Sequence, residues 1–339
     1  MFRYIDRMKR IVALCGVVAY ATAAHTQGAP DKHPVRDGYL YTSDSARIFY
    51  RIAGQTGDTL IAIHGGPGVD LESIFADFAP LAKRHVVIFY DQRGAGRSEL
   101  PTDTLRLLAA RQIQDLDDVR RHFALDRATL VAHSYGPLLA ASYALAHPDH
   151  VNRMVFFGPV PPRRGDFWQR FGARMQTRLD SAGLVRLADA GRRLADSTAD
   201  ARQACRDYWA VALRPRLSNP NQAARLIKSD LCASNPEGIR YGLTTTNRVV
   251  MASFGAWDLR DRLRQLDTPT LVVHGEDDAI PMDLVSEWVT SLPHGKLFRV
   301  PHAAHFAYAE RPRLVWSAVE RFLAAPLDSG AGPHSGRER

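Results

Sequence analysis

Past a polar opening, the chain settles into short apolar runs separated by stretches of helical period. Residues 39–42 and Arg47–Ala53 read as two short strands around a Ser-Asp-Ser turn, and Thr59–Ile63 as a third. Residues 71–81 have helical periodicity, and the β-branched and aromatic run Val86–Tyr90 predicts a buried strand. Residues 105–123 alternate charged and apolar positions at helical spacing. Residues 129–132 form an apolar strand that leads into a small-residue helix over 138–146, and Val151–Phe157 reads as the next strand. Strands alternating with helices predict an α/β fold, a mostly parallel twisted sheet with helices on both faces.

The pattern changes at Gly158-Pro159-Val160-Pro161-Pro162, a boundary signal. Residues 159–253 read as an inserted helical cap without strands, rich in Arg, Ala and Leu, with Trp168, Tyr208 and Trp209 interspersed. Sheet pattern returns at 270–273, followed by a helix over 283–290, a strand over 296–300 and a closing helix over 314–323. The expected organisation is therefore a core in two parts, 38–158 and 254–324, interrupted by the cap. A polar leader at 25–37 and a Gly, Pro and Ser rich tail at 325–339 flank it, both expected to lack order.

The first 24 residues read as a secretory signal. Basic residues precede an apolar run from Ile11 to Ala24, with small residues Ala21 to Ala24 as a cleavage site. The run is shorter than the roughly 20 residues that span a bilayer, so no stable membrane anchor is expected and the mature chain is placed outside the cytoplasm, secreted or periplasmic. Two cysteines then remain, Cys205 and Cys232. An oxidising compartment would let them pair, and two buried thiols is the alternative. The formal charge of +8 includes +3 from Arg3, Arg7, Lys9 and Arg10 less Asp6. Elsewhere bases and acids are interspersed, which argues against a nucleic-acid partner; a small molecule or short peptide is the ligand that the motifs below imply.

Four loops, each following a predicted strand, carry unusual chemistry, and in an open parallel sheet such loops converge on one edge. His64-Gly65-Gly66-Pro67-Gly68 exposes backbone N–H groups that suit an oxyanion. In Val131-Ala132-His133-Ser134-Tyr135-Gly136, Ser134 occupies a strand-to-helix turn of the nucleophile-elbow kind, with Ala132 where glycine is usual. Tyr135 would offer a second oxyanion N–H. The loop Gly275-Glu276-Asp277-Asp278 offers a carboxylate to orient a histidine, with Asp278 preferred and Asp277 the runner-up. The loop Pro301-His302-Ala303-Ala304-His305-Phe306 offers a proton acceptor, with His305 preferred over His302. The order serine, aspartate, histidine differs from the orders of trypsin-like and subtilisin-like enzymes. His302 and His305 lack a third partner at metal-ligand spacing, and no metal or organic cofactor is called for.

On these residues the chain resembles the α/β-hydrolase superfamily from about Tyr39 to Leu323. His64 to Gly68, together with Asp91-Gln92-Arg93-Gly94-Ala95-Gly96-Arg97-Ser98, resembles the proline iminopeptidases and tricorn-interacting aminopeptidases. The resemblance implies Ser134 as nucleophile, Asp278 as acid, His305 as base, and Gly66 and Tyr135 as oxyanion donors. It makes Asp91 and Arg93 braces of the site. It also implies an acidic cap residue that holds a free amino terminus, and Glu237 is the only glutamate between Pro159 and Leu259. The leading expectation is an aminopeptidase releasing N-terminal proline or another small residue. A carboxylesterase or lactonase on the same triad is the alternative, and a non-catalytic binding module is the reading from another class.

Overall fold

The computed structural model describes residues 34–326, without the side chains at 223 and 224. The expected signal segment, residues 25–33 of the leader and nearly all of the tail lie outside the described residues. Eight strands form one sheet: β1 (Val35–Tyr41), β2 (Arg47–Ala53), β3 (Thr59–Ile63), β4 (Val86–Tyr90), β5 (Ala128–His133), β6 (Val151–Phe157), β7 (Thr270–Gly275) and β8 (Gly295–Val300). Their spatial order is β1-β2-β4-β3-β5-β6-β7-β8. The pairings β1 with β2 and β2 with β4 are antiparallel, and the rest are parallel. Order reverses around β3, where crossovers leave in opposite directions and open a crevice at the strands' carboxyl ends.

Side-chain alternation explains why the central strands are apolar throughout. Leu130 and Ala132 of β5, with Met154 and Phe156 of β6, face one core that includes Tyr143 and Trp288. Val131, Val155 and Phe157 face the other, around Phe78, Tyr308 and Trp316. Both faces of the sheet are thus covered, as a parallel sheet requires.

The first helices are α1 (Glu72–Phe78), α2 (Ala109–His122) and α3 (Gly136–Ala146). The helical pattern over 105–123 breaks in two: a 3₁₀ turn, Thr104–Leu107, precedes α2 because Leu108 is extended, at ψ 150°. The freed Ala109 N–H is taken by Ser253 Oγ at 2.8 Å. The leader is shorter than the sequence implies. Val35, Arg36 and Asp37 belong to β1, paired with Ala53, Ile52 and Arg51, and Arg51 grips the Asp37 carboxylate with two donors.

Between β6 and β7 the chain forms α4 (Phe167–Thr177), α5 (Ser181–Ala195), α6 (Ala201–Ala212), α7 (Ala223–Leu226), α8 (Pro236–Tyr241), α9 (Asn247–Ser253) and α10 (Arg260–Leu263). An isolated bridge between Arg163 and Asp258 draws the two ends of this insertion together. Cys205 and Cys232 are bonded, tying α6 to the segment before α8. A π-helical turn, Gly242–Thr246, joins α8 to α9. The chain closes with α11 (Met282–Ser291), α12 (Ala307–Glu310) and α13 (Pro312–Ala324). No helix among the described residues is long and apolar enough to cross a membrane.

Candidate active site

The buried strand β5 must turn sharply into α3, and Ser134 takes the turn at φ 61°, a left-handed conformation that is costly for a residue with a Cβ. The following helix runs close beneath: a Cβ on Gly136 would lie 2.8 Å from the Ile63 carbonyl oxygen, so only glycine fits there. The turn lifts the Ser134 hydroxyl out of the sheet edge toward the loop after β8. His305 Nε2 lies 3.0 Å from Ser134 Oγ, and His305 Nδ1 lies 3.0 Å from Asp278 Oδ2. The three residues come from the separate loops after β5, β7 and β8; Asp278 and His305 are buried and Ser134 is half-buried.

Asp278 is held as a carboxylate. Burial opposes its ionisation. The field and hydrogen bond of His305, the nearby His274 and the Ile280 N–H at 3.0 Å outweigh that cost and hold the group down to about 2. The charge aligns the imidazole so that Nδ1–H donates to Asp278 and Nε2 is left as the acceptor facing Ser134. His133, beside the serine, is kept neutral by burial and by the His305 field, its pKa well below the ordinary value.

Gly66 lines the same cavity as Ser134 and Tyr135 follows it in the chain, and the N–H of neither donates to an acceptor among the described residues. The glycine loop is pinned from beneath. Gln92 N–H donates to His64 Nε2 at 3.1 Å, which makes Nδ1 the donor to the Gly65 carbonyl at 2.9 Å. Burial pushes this histidine down to about 4, so it serves as a neutral bridge. The Asp91-Gln92-Arg93 loop is a brace, as the resemblance implies. Asp91 accepts from the N–H groups of Leu71 and Arg97, and the fully buried Arg93 is gripped by Asp44 and Asp115.

The runner-up residues go elsewhere. Asp277 accepts from Ser218 Oγ at 2.6 Å. His302 is exposed in a left-handed turn, and its carbonyl accepts from Arg311 Nε. Glu237 requires a correction. Asn235 Oδ1 caps α8 by accepting from Gly238 N–H, which sets Glu237 in the exposed first turn. There it lines a separate surface hollow with Arg47, Arg97 and Glu99, away from Ser134.

The cavity over Ser134 holds about 320 Å³. Its floor is the glycine loop with Ser134 and His305, and its roof comes from the insertion: Phe167, Phe171, Tyr208, Trp209 and Met251 among others. Among the described residues no aspartate or glutamate lines it, and the one permanently charged side chain in its wall is Arg216. Insertion and glycine loop meet backbone to backbone. A Cβ on Gly242 would sit 2.1 Å from the Gly68 oxygen, and Asn247 Nδ2 donates to the Pro67 carbonyl at 2.8 Å. Arg216 and Asn247 carry no sequence signal that marks them, since both belong to helical stretches of ordinary polarity. His274 is more legible in retrospect, because it is the penultimate residue of β7, four residues before Asp278, and lies 3.6 Å from its carboxylate.

A mostly parallel sheet with a strand-turn-helix serine, an acid and a histidine on carboxyl-end loops, in that chain order, defines the hydrolase class of α/β proteins. The chain belongs to the α/β-hydrolase fold family, whose model matches residues 58–312. It is 26% identical over 285 residues to a proline iminopeptidase of Lactiplantibacillus plantarum, covering 82% of this chain and 97% of that one. It is also 26% identical over 294 residues to a putative 2-succinyl-6-hydroxy-2,4-cyclohexadiene-1-carboxylate synthase of Bacillus subtilis, covering 84% and 98%. Among solved structures, an esterase from Rhodococcus sp. ECU1013 superposes with a TM-score of 0.63 at 24% identity, over 85% of this chain and 98% of that one.

Proposed function

We propose that this chain is a serine hydrolase that acts through an acyl-enzyme on small carboxylic esters. The observation that carries the reading is the unbroken relay from Ser134 Oγ through His305 to the ionised Asp278, with two free amide donors beside it. His305 Nε2 takes the hydroxyl proton as Ser134 Oγ bonds to the substrate carbonyl carbon. The oxyanion is received by the N–H groups of Gly66 and Tyr135. His305 then delivers that proton to the departing alkoxide as the ester C–O bond breaks. Water attacks the acyl-serine, giving its proton to His305 and its oxygen to the product acid, and Ser134 recovers its proton.

A second reading, release of an N-terminal proline or other small residue from peptides, is favoured by the names of the curated relatives. The esterase reading is preferred because a free amino terminus is a cation, and among the described residues the cavity wall offers it no carboxylate. The apolar roof suits an acyl chain. The bonded Cys205–Cys232 pair supports an oxidising compartment, consistent with export of the chain.

The test is a side-by-side assay of p-nitrophenyl esters and of proline and alanine p-nitroanilides. Ester turnover that vanishes in Ser134→Ala is expected. Anilide turnover with no ester turnover would reverse the order of the two readings, and hydrolysis that survives Ser134→Ala would remove both.

A further inference from the structure

Arg216 sits where the chain leaves α6, in a short turn whose backbone is tied to the site itself: the His305 N–H donates to the Arg216 carbonyl at 3.0 Å. Its guanidinium carries five donors. One arm reaches back to the Ala212 carbonyl at the end of α6. The group lies 5.8 Å from the ring centres of both Phe171 and Trp209 and faces the cavity shared with Ser134 and His305. Among the described residues it forms no ion pair, unlike Arg163, Arg170, Arg192 and Arg193 of the same insertion. The carboxylate whose field reaches it belongs to Asp278, and those oxygens are already engaged by His305 and the Ile280 amide.

Capping α6 would account for one donor and leaves the rest without a partner. Trp209, in the same wall, carries a donor that is buried outright. The indole Nε1 of Trp209 is buried with no acceptor among the described residues. A permanent cation open to the cavity and a buried indole N–H without an acceptor, in a wall that carries no aspartate or glutamate among the described residues, leave an anion as the complementary ligand. Burial disfavours the charged form of Arg216, so the cation is kept in this wall at a cost that a bound anion would offset.

We infer that Arg216, assisted by Trp209 Nε1–H, is the specificity residue for an ester that carries a second, anionic group, such as a half-ester of a dicarboxylic acid. The inference rests on the esterase reading above and names its substrate class. The anion docks on the insertion while the ester carbonyl lies over Ser134. A neutral acyl chain fills the same space but leaves the cation unpaired, and a cationic aminoacyl group would face repulsion.

The experiment compares p-nitrophenyl hydrogen glutarate with p-nitrophenyl valerate, which has the same chain length without the charge. The wild-type protein should favour the glutarate ester about ten- to hundredfold in kcat/KM, mostly through KM, as expected for one charge-assisted contact. Arg216→Met should bring that ratio close to one, Arg216→Lys should keep part of it, and Trp209→Phe should lower it several-fold. Equal loss on both esters in Arg216→Met, or a wild-type ratio at or below one, would overturn the inference while leaving the hydrolase reading intact. Calorimetric binding of glutarate and of its neutral diamide to Ser134→Ala reads Arg216 without any turnover. Preference for glutarate supports the assignment, and equal affinity removes it. Should Arg216→Met fail to fold, this binding pair on the Ser134→Ala background still decides the matter.

Discussion

Replacing Asp278 by asparagine tests the relay with the least change of shape. The carboxyl stands at about 2 in the fold against 3.8 for a free aspartate, despite burial that pushes the other way. That difference corresponds to about 2.5 kcal/mol of net preference for the ionised form, at 1.36 kcal/mol for each factor of ten. The principal partner is the His305 imidazole, so the fixed negative charge facing the imidazolium formed during attack disappears with the substitution. This alone predicts a fall in kcat on the order of a hundredfold. A tautomer effect adds to it. The asparagine amide can donate to Nδ1, which would move the imidazole proton to Nε2, where it blocks acceptance from Ser134 Oγ at 3.0 Å. The expected loss in kcat on a p-nitrophenyl ester is therefore 10²–10⁴-fold, with KM within a few-fold, and the acylation burst should slow in parallel. Asp277→Asn is the control. It removes a contact to Ser218 and should leave kcat within a few-fold. A loss below about fivefold in Asp278→Asn, or a larger loss in Asp277→Asn, would refute the reasoning.

Three further outcomes follow from particular contacts. Gly242→Ala places a methyl 2.1 Å from the Gly68 oxygen and must displace the glycine loop; ester kcat should fall at least about tenfold, measured alongside thermal unfolding, and an unchanged kcat would contradict the coupling of insertion and loop. Replacing both Cys205 and Cys232 by serine frees a chain segment of 27 residues; calorimetry should show a loss of about 3–4 kcal/mol by loop-closure entropy, and an unaltered melting curve would mean the pair contributes nothing. Asp70 is buried, and that burial, then the field of Asp91, raises its pKa above 3.8. The folded state therefore holds a proton the unfolded chain has lost, and stability declines as pH rises above the unfolded value. Asp70→Asn should flatten that decline in urea unfolding between pH 5 and pH 9, and parallel curves for the two proteins would exclude it.

The loops at the sheet edge were readable because their chemistry is local. A glycine loop needs its glycines consecutively, and an elbow serine needs a small residue two places on. A triad supplied by three crossovers keeps its chain order whatever the loop lengths. The strand and helix pattern was readable for a similar reason, since apolar runs and helical periods are set within ten or so residues. Leu108 shows where that stops: the periodicity of 105–123 is continuous, yet the chain breaks because Ser253, far along the sequence, takes the Ala109 amide. Glu237 shows it again. Its standing as the only glutamate of the insertion was a fact of composition, while its place beside Arg97 and away from Ser134 depends on how α8 docks.

What the amino-acid order determined alone was the α/β architecture and the grouping of Ser134, Asp278 and His305, because those depend on periodicity and on loops that each sit at a strand's carboxyl end. Tertiary structure decided what the cavity asks of a ligand. Several amphipathic helices of similar composition can present any of their polar residues inward, and only their packing turned Arg216 toward the serine, left every acid outside, and brought Cys205 against Cys232.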